Sequence, residues 1–136
     1  MGRFARTMLV IAAVVEVVLR GIPALFGSPA VAKLLNLEYP LQDINYVHAF
    51  GAVMICLGLL FFFASKEPEK HALVLNIAIL RFALGIAAQL GSYLQLRAGG
   101  ITMNIFWWIH MVVDIALVVL LWAARSSLRR PVPSAP

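Results

Sequence analysis

Apolar side chains fill four long stretches of the chain, and polar residues collect between them. The stretches cover about residues 8–25, 46–64, 72–96 and 103–124. A bilayer hydrocarbon core about 30 Å thick needs about 20 helical residues at about 1.5 Å each, so every stretch is long enough to span. The period-two alternation of strands is absent, and the runs are about twice the length of a membrane strand. The pattern predicts an all-α polytopic membrane protein: a four-transmembrane-helix bundle over residues 1–130, followed by a disordered tail at 131–136.

The connectors read as breaks. Phe26-Gly27-Ser28-Pro29 stops the first helix. The link from Ser28 to Asn45 is the longest, and Ala30, Val31, Leu34, Leu35 and Leu37 within it predict a short interfacial helix closed by Pro40. Ser65 to Lys70 makes a tight charged turn, and Arg97-Ala98-Gly99-Gly100 a glycine turn. Ala30-Val31-Ala32 looks like a signal cleavage site, but Glu16 and Arg20 interrupt the apolar run before it, so the first helix is expected to be retained.

Charge sets the orientation. Arg3, Arg6, Lys66, Lys70, Arg125, Arg129 and Arg130 fall on the side of the termini, and only Lys33 and Arg97 on the other. The positive-inside rule then predicts N and C termini cytoplasmic, in the cell inner (cytoplasmic) membrane. Tyr39, Tyr46, Tyr93, Trp107 and Trp108 lie near the outer ends and Trp122 near the inner, as interfacial anchors do.

Composition agrees. Of 136 residues 62% are hydrophobic and 12% charged, against about 45–50% and about 25% in soluble domains. The net charge of +5 lies at segment ends, which suits anionic headgroups and argues against nucleic acid as a partner. Cys56 is the sole cysteine, so no intrachain disulfide can form.

Ionisable groups within the spans carry the information about function, because a mid-bilayer charge costs at least about 2.5–3.5 kcal/mol. They are Glu16 and Arg20 in the first helix, His48 in the second, Arg81 in the third, and His110 and Asp114 in the fourth, with Gln89 a neutral companion. Glu16/Arg20 and His110/Asp114 are i, i+4 pairs, and Arg81, Gly85 and Gln89 repeat that spacing. At about 1.5 Å per residue the cluster Glu16, Arg20, Arg81, Gln89, His110 and Asp114 falls roughly 8–22 Å below the outer surface, and His48 roughly 3–5 Å. Glu16–Arg20 and Arg81–Asp114 are the expected ion pairs. The cluster predicts either a structural lock or a binding and proton-transfer site for a quinone or lipid. His48 and His110 are the candidate ligands of a bis-His b-type haem. Gly51/Gly58 and Gly85/Ala88 are expected to mark close helix contacts. No metal-ligand or hydrolase motif appears, and no residue is assigned as catalytic.

Arg20-Gly21-Ile22-Pro23 with Phe26 and Lys33, His48-Ala49-Phe50-Gly51 with Leu57-Gly58-Leu59, and Arg81-Phe82-Ala83-Leu84-Gly85 resemble the DoxX-like group of small four-helix bacterial membrane proteins. The resemblance implies the same architecture and an association with quinone-dependent oxidation as a membrane subunit. The expected function is therefore an accessory or anchor subunit associated with quinone or electron-transfer machinery, with a membrane-protein partner or a homo-oligomer around it. The alternatives are a stand-alone membrane enzyme or transporter for a lipid-soluble substrate, and a b-type cytochrome.

Overall fold

The computed structural model describes residues 2–27, 44–100, 102–103 and 105–128. The interfacial helix expected between Ala30 and Leu37 and the tail at 131–136 lie outside the described residues. Four helices make up the rest: α1 (Gly2–Phe26), α2 (Ile44–Ala64), α3 (Ala72–Ala98) and α4 (Ile105–Leu128). Each is long and apolar enough to cross a membrane. The chain is thus all-helical, with the build of a multi-pass membrane protein.

α1 is not uniform. It is α-helical over Gly2–Val14, widens to a π-helix over Val15–Gly21, and returns to α-helix over Ile22–Phe26. The cause is local. Pro23 has no N–H, and its ring crowds the carbonyl four residues earlier. A wider turn absorbs the misfit, and the Ile22 N–H donates to Val17 O, five residues back. Glu16 and Arg20 both sit in this widened segment, a placement that the i, i+4 spacing alone does not reveal.

The helices form a ring in chain order. α1 packs along α2 and also on α4, α3 packs chiefly on α4, and α2 and α3 touch sparsely. Glycines set the closest approach. A Cβ on Gly51 would fall 2.8 Å from Gly21 O and 2.9 Å from the Ala24 carbonyl carbon, and one on Gly58 would fall 3.0 Å from Ala13 O. The α2 backbone therefore lies directly on the α1 backbone, as small residues allow. Gly85, expected to serve the same purpose, does not. Its nearest neighbours are charged side chains, and Ala88 is exposed.

The apolar core occupies the half of the bundle nearer the termini. Leu9 and Ala12 of α1, Phe61 of α2, Leu75, Ala78 and Phe82 of α3, and Leu117 and Leu121 of α4 are all buried there. At that end the α2–α3 turn is closed by Ser65 Oγ donating to Phe62 O at 2.7 Å and by a Lys70–Glu67 ion pair at 2.8 Å. At the opposite end α3 stops at Gly99 and Gly100. Gly100 has φ of 77°, a conformation natural to glycine. Tyr93, Trp107 and Trp108 stack there with ring centroids 4.7–5.8 Å apart.

Any side chain at Gly51 must push α1 and α2 apart. Gly51→Val is expected to cost about 1–3 kcal/mol, as overpacking does, read as a lowered thermal midpoint of the purified protein in detergent. Gly91→Ala, with nothing within 4 Å of the new Cβ, should match or exceed the wild-type midpoint. Equal midpoints for the Gly51→Val variant and wild type would show that the α1–α2 contact is not tight.

Candidate functional site

Above the apolar core the ionisable side chains meet. Glu16 is the innermost. Its Oε1 accepts from Arg20 Nη1 at 2.8 Å and its Oε2 from Arg81 Nη2 at 3.3 Å. Asp114 Oδ1 accepts from Arg20 Nη2, and Oδ2 accepts from Gln89 Nε2 at 2.7 Å. Every carboxylate oxygen has one donor. The side chains alternate along one path, Arg81–Glu16–Arg20–Asp114–Gln89, which ties α1, α3 and α4 together. Two carboxylates and two guanidiniums leave the layer without net charge, the condition for holding them out of water.

The Arg81–Asp114 ion pair expected from the sequence is not made. Arg81 turns to Glu16 and also donates to Met54 Sδ at 3.0 Å, while both oxygens of Asp114 are occupied by Arg20 and Gln89. Gly85 makes room for this arrangement. A Cβ there would lie 3.0 Å from both Arg81 Nη1 and Asp114 Oδ2, so the absence of a side chain admits two charged groups rather than a neighbouring backbone.

Phe82 is the platform below. Its ring lies 5.3 Å from the Arg20 guanidinium carbon and 5.8 Å from that of Arg81, and its other contacts join the apolar core. Cations on ring faces are favourable where water is excluded. Met54 and Phe82 were not among the residues read from the sequence as functional. Their signal was position: Phe82 follows Arg81 directly, and Met54 lies three residues after Gly51, beside the glycine stripe.

Outward of this layer a cavity of about 850 Å³ opens between α2 and α3, where those helices touch least. Its walls are largely apolar: Leu19 and Ala24 from α1, Val47, Phe50 and Met54 from α2, and Leu84, Ala88 and Leu96 from α3. Its floor is polar, formed by Arg20, Arg81, Gln89, Asp114 and His110, with Trp107 near the rim. The carboxylates are hidden and the guanidiniums show. Glu16 and Asp114 are 0% and 1% exposed, while Arg20 and Arg81 are 9% and 18% exposed. Arg81 Nε and Gln89 Oε1 are buried without a hydrogen-bond partner.

Five of the six cluster residues named from the sequence, Glu16, Arg20, Arg81, Gln89 and Asp114, are thus joined by direct hydrogen bonds. The sixth, His110, lines the cavity one helical turn before Asp114 on α4. His48 is elsewhere. It falls on the α2 stripe with Gly51, Ile55 and Gly58 that faces α1, and it is not part of the cavity wall. His110 lines the cavity and His48 does not, so the two histidines named as candidate haem ligands do not share it. Among the described residues no three His, Cys, Asp or Glu side chains are grouped to hold a metal ion. No protein-family model, no curated protein and no solved structure matches the chain.

Removing one member of a buried ionic network strands the others. Asp114→Ala deprives Arg20 and Gln89 of their shared acceptor and is expected to cost about 3–5 kcal/mol, measured as lost thermal stability or lost accumulation in the membrane. Ile109→Ala, exposed on the same helix, serves as the control and should be far milder. Equal effects would mean that the network contributes nothing to holding α1, α3 and α4 together.

Proposed function

We propose that this chain is a membrane-embedded subunit that holds a lipid-soluble, uncharged molecule in the α2–α3 cavity, headgroup inward. The single observation that carries the reading is the form of the cavity: apolar walls leading to a floor that shows guanidinium edges and hides its carboxylates. Its volume falls in the range of small-molecule sites, about 300–1,000 Å³. Such a floor favours a headgroup that accepts hydrogen bonds, and its lack of net charge disfavours an ion. A quinone carbonyl on an isoprenoid tail has that chemistry. The resemblance to the DoxX-like group supports the same ligand class and the role of an accessory subunit of electron-transfer machinery. His110 lines the same cavity and supports one further element, proton exchange with the bound headgroup by its imidazole.

In this reading the termini face the cytoplasm and the cavity sits in the outer half of the inner membrane. The basic residues at the terminal side support that orientation. It is checked in a Cys56→Ser background with single cysteines at Glu69→Cys and Gly99→Cys, both positions exposed at opposite ends of the bundle. A membrane-impermeant maleimide added to whole cells should label the Gly99→Cys variant and not the Glu69→Cys variant. The reverse pattern would invert the topology.

The ligand reading is tested with decylubiquinone added to the purified protein, complexes being counted by native mass spectrometry. Ala88→Trp combined with Ser92→Trp crowds one wall of the cavity and is expected to weaken binding at least about ten-fold, a loss of about 1.4 kcal/mol, with an unchanged thermal midpoint. Failure of wild type to bind the quinone above a non-specific control would end the quinone assignment. A mild-detergent pull-down that yields this chain alone would end the subunit assignment.

A further inference from the structure

At the opposite end of the molecule lies a second cleft that the proposed function does not use. It has a volume of about 720 Å³ and lies between the first turns of α1 and the α2–α3 turn. Six ionisable side chains line it: Arg3 and Arg6 from α1, and Lys66, Glu67, Glu69 and Lys70 from the turn. Four cations against two carboxylates leave an excess of two positive charges. One carboxylate is already engaged, because Glu67 pairs with Lys70 at 2.8 Å. Arg3 and Arg6 form no ion pair among the described residues.

Position fixes what can fill such a cleft. The apolar stretch of α1 begins at Met8, so Arg6 stands about 3 Å and Arg3 about 7–8 Å beyond it along the helix. That is the level of lipid phosphates above the hydrocarbon edge. Exposed Phe4 shares the cleft, and exposed Phe63 lies just inward of it with Lys66 Nζ 5.2 Å above its ring. An anion bound here therefore has apolar surface directly below it, where acyl chains run. Two unpaired guanidiniums match phosphate oxygens in paired hydrogen bonds better than ammonium groups do. We propose that this cleft binds the phosphodiester of an anionic phospholipid, with Arg3 and Arg6 as the primary ligands and Lys66 as the flanking cation. The site is independent of the α2–α3 cavity and stands or falls separately from it.

The test uses the full chain in mixed micelles with phosphatidylglycerol or phosphatidylcholine, bound lipid being counted by native mass spectrometry. Phosphatidylglycerol should be retained over phosphatidylcholine. Arg3→Gln with Arg6→Gln should reduce its retention by about five-fold for each cation removed, roughly twenty-five-fold together. Arg129→Gln with Arg130→Gln removes the same charge from the chain and should leave retention unchanged. Arg3→Lys with Arg6→Lys keeps the charge and should fall between wild type and the glutamine pair. Should the Arg3→Gln/Arg6→Gln variant fail to accumulate, Lys66→Gln reads the same cleft and should cost about five-fold. Equal losses in the Arg129/Arg130 variant would reduce the effect to diffuse charge and overturn the site. Displacement of phosphatidylglycerol by millimolar glycerol 3-phosphate would assign the cleft to a water-soluble phosphate and overturn the lipid assignment.

Discussion

Glu16 lies near the middle of a helix whose neighbours are Val15, Val17 and Val18, and in hydrocarbon an unpaired carboxylate there would not stay ionised. Its two oxygens demand two donors, and the bundle supplies them from two directions: Arg20 from its own helix and Arg81 from α3. Once both guanidiniums are present they must be balanced in turn, which fixes Asp114 on α4 beside Arg20 and Gln89 on α3 beside Asp114. Each partner comes from a defined turn of a defined helix. Sliding any of the three helices by one turn, about 5.4 Å, would leave a charge without its partner. Apolar packing alone gives no such register, because one lipid-like side chain replaces another at little cost in a medium already apolar.

This constraint divides the molecule. Toward the termini the helices meet through Leu9, Phe61, Leu75, Phe82, Leu117 and Leu121, an apolar core with small residues between. Toward the other end the ionic layer takes over, and the helices no longer close. α2 is held on α1 by the backbone contacts at Gly51 and Gly58, and so stands away from α3. The cavity is the space left by that choice of partner. Phe82 sits at the border, one face among the core residues and the ring within reach of both guanidiniums. The π-helical segment of α1 belongs to the same border, since it carries Glu16 and Arg20 to their partners.

How much of this could be read from the residues follows from the kind of constraint involved. The spans were legible because bilayer thickness acts on a single coordinate, the length of an apolar run. The members of the cluster were legible because charge in hydrocarbon is costly wherever it points. The pairing was not. Two guanidiniums and two carboxylates can be matched in more than one way, and the choice of Arg81 for Glu16 over Asp114 depends on the helix arrangement and on the gap at Gly85. Pro23 was the visible sign of the wide turn, but the apolar run continues past it to about residue 25, and run length alone does not register a change of helix type within a span.

A network that only held helices together would be expected to use up its hydrogen-bonding groups. This one does not. Arg81 Nε and Gln89 Oε1 remain buried without partners, each a cost of about 1–3 kcal/mol in a structure that could have avoided it. Both belong to side chains on the cavity floor, and both lie on α3, the helix that contributes Leu84 and Ala88 to its wall. The incomplete bonding thus falls on two side chains that line the cavity, at atoms that are themselves buried, and does not occur at Glu16, where the layer meets the core. Under the proposed reading these atoms belong to side chains that can readjust when a headgroup arrives, without breaking the bonds of Glu16 to Arg20 and Arg81. The same layer can then fix the register of α1, α3 and α4 on its inner face and keep an adaptable surface on its outer one.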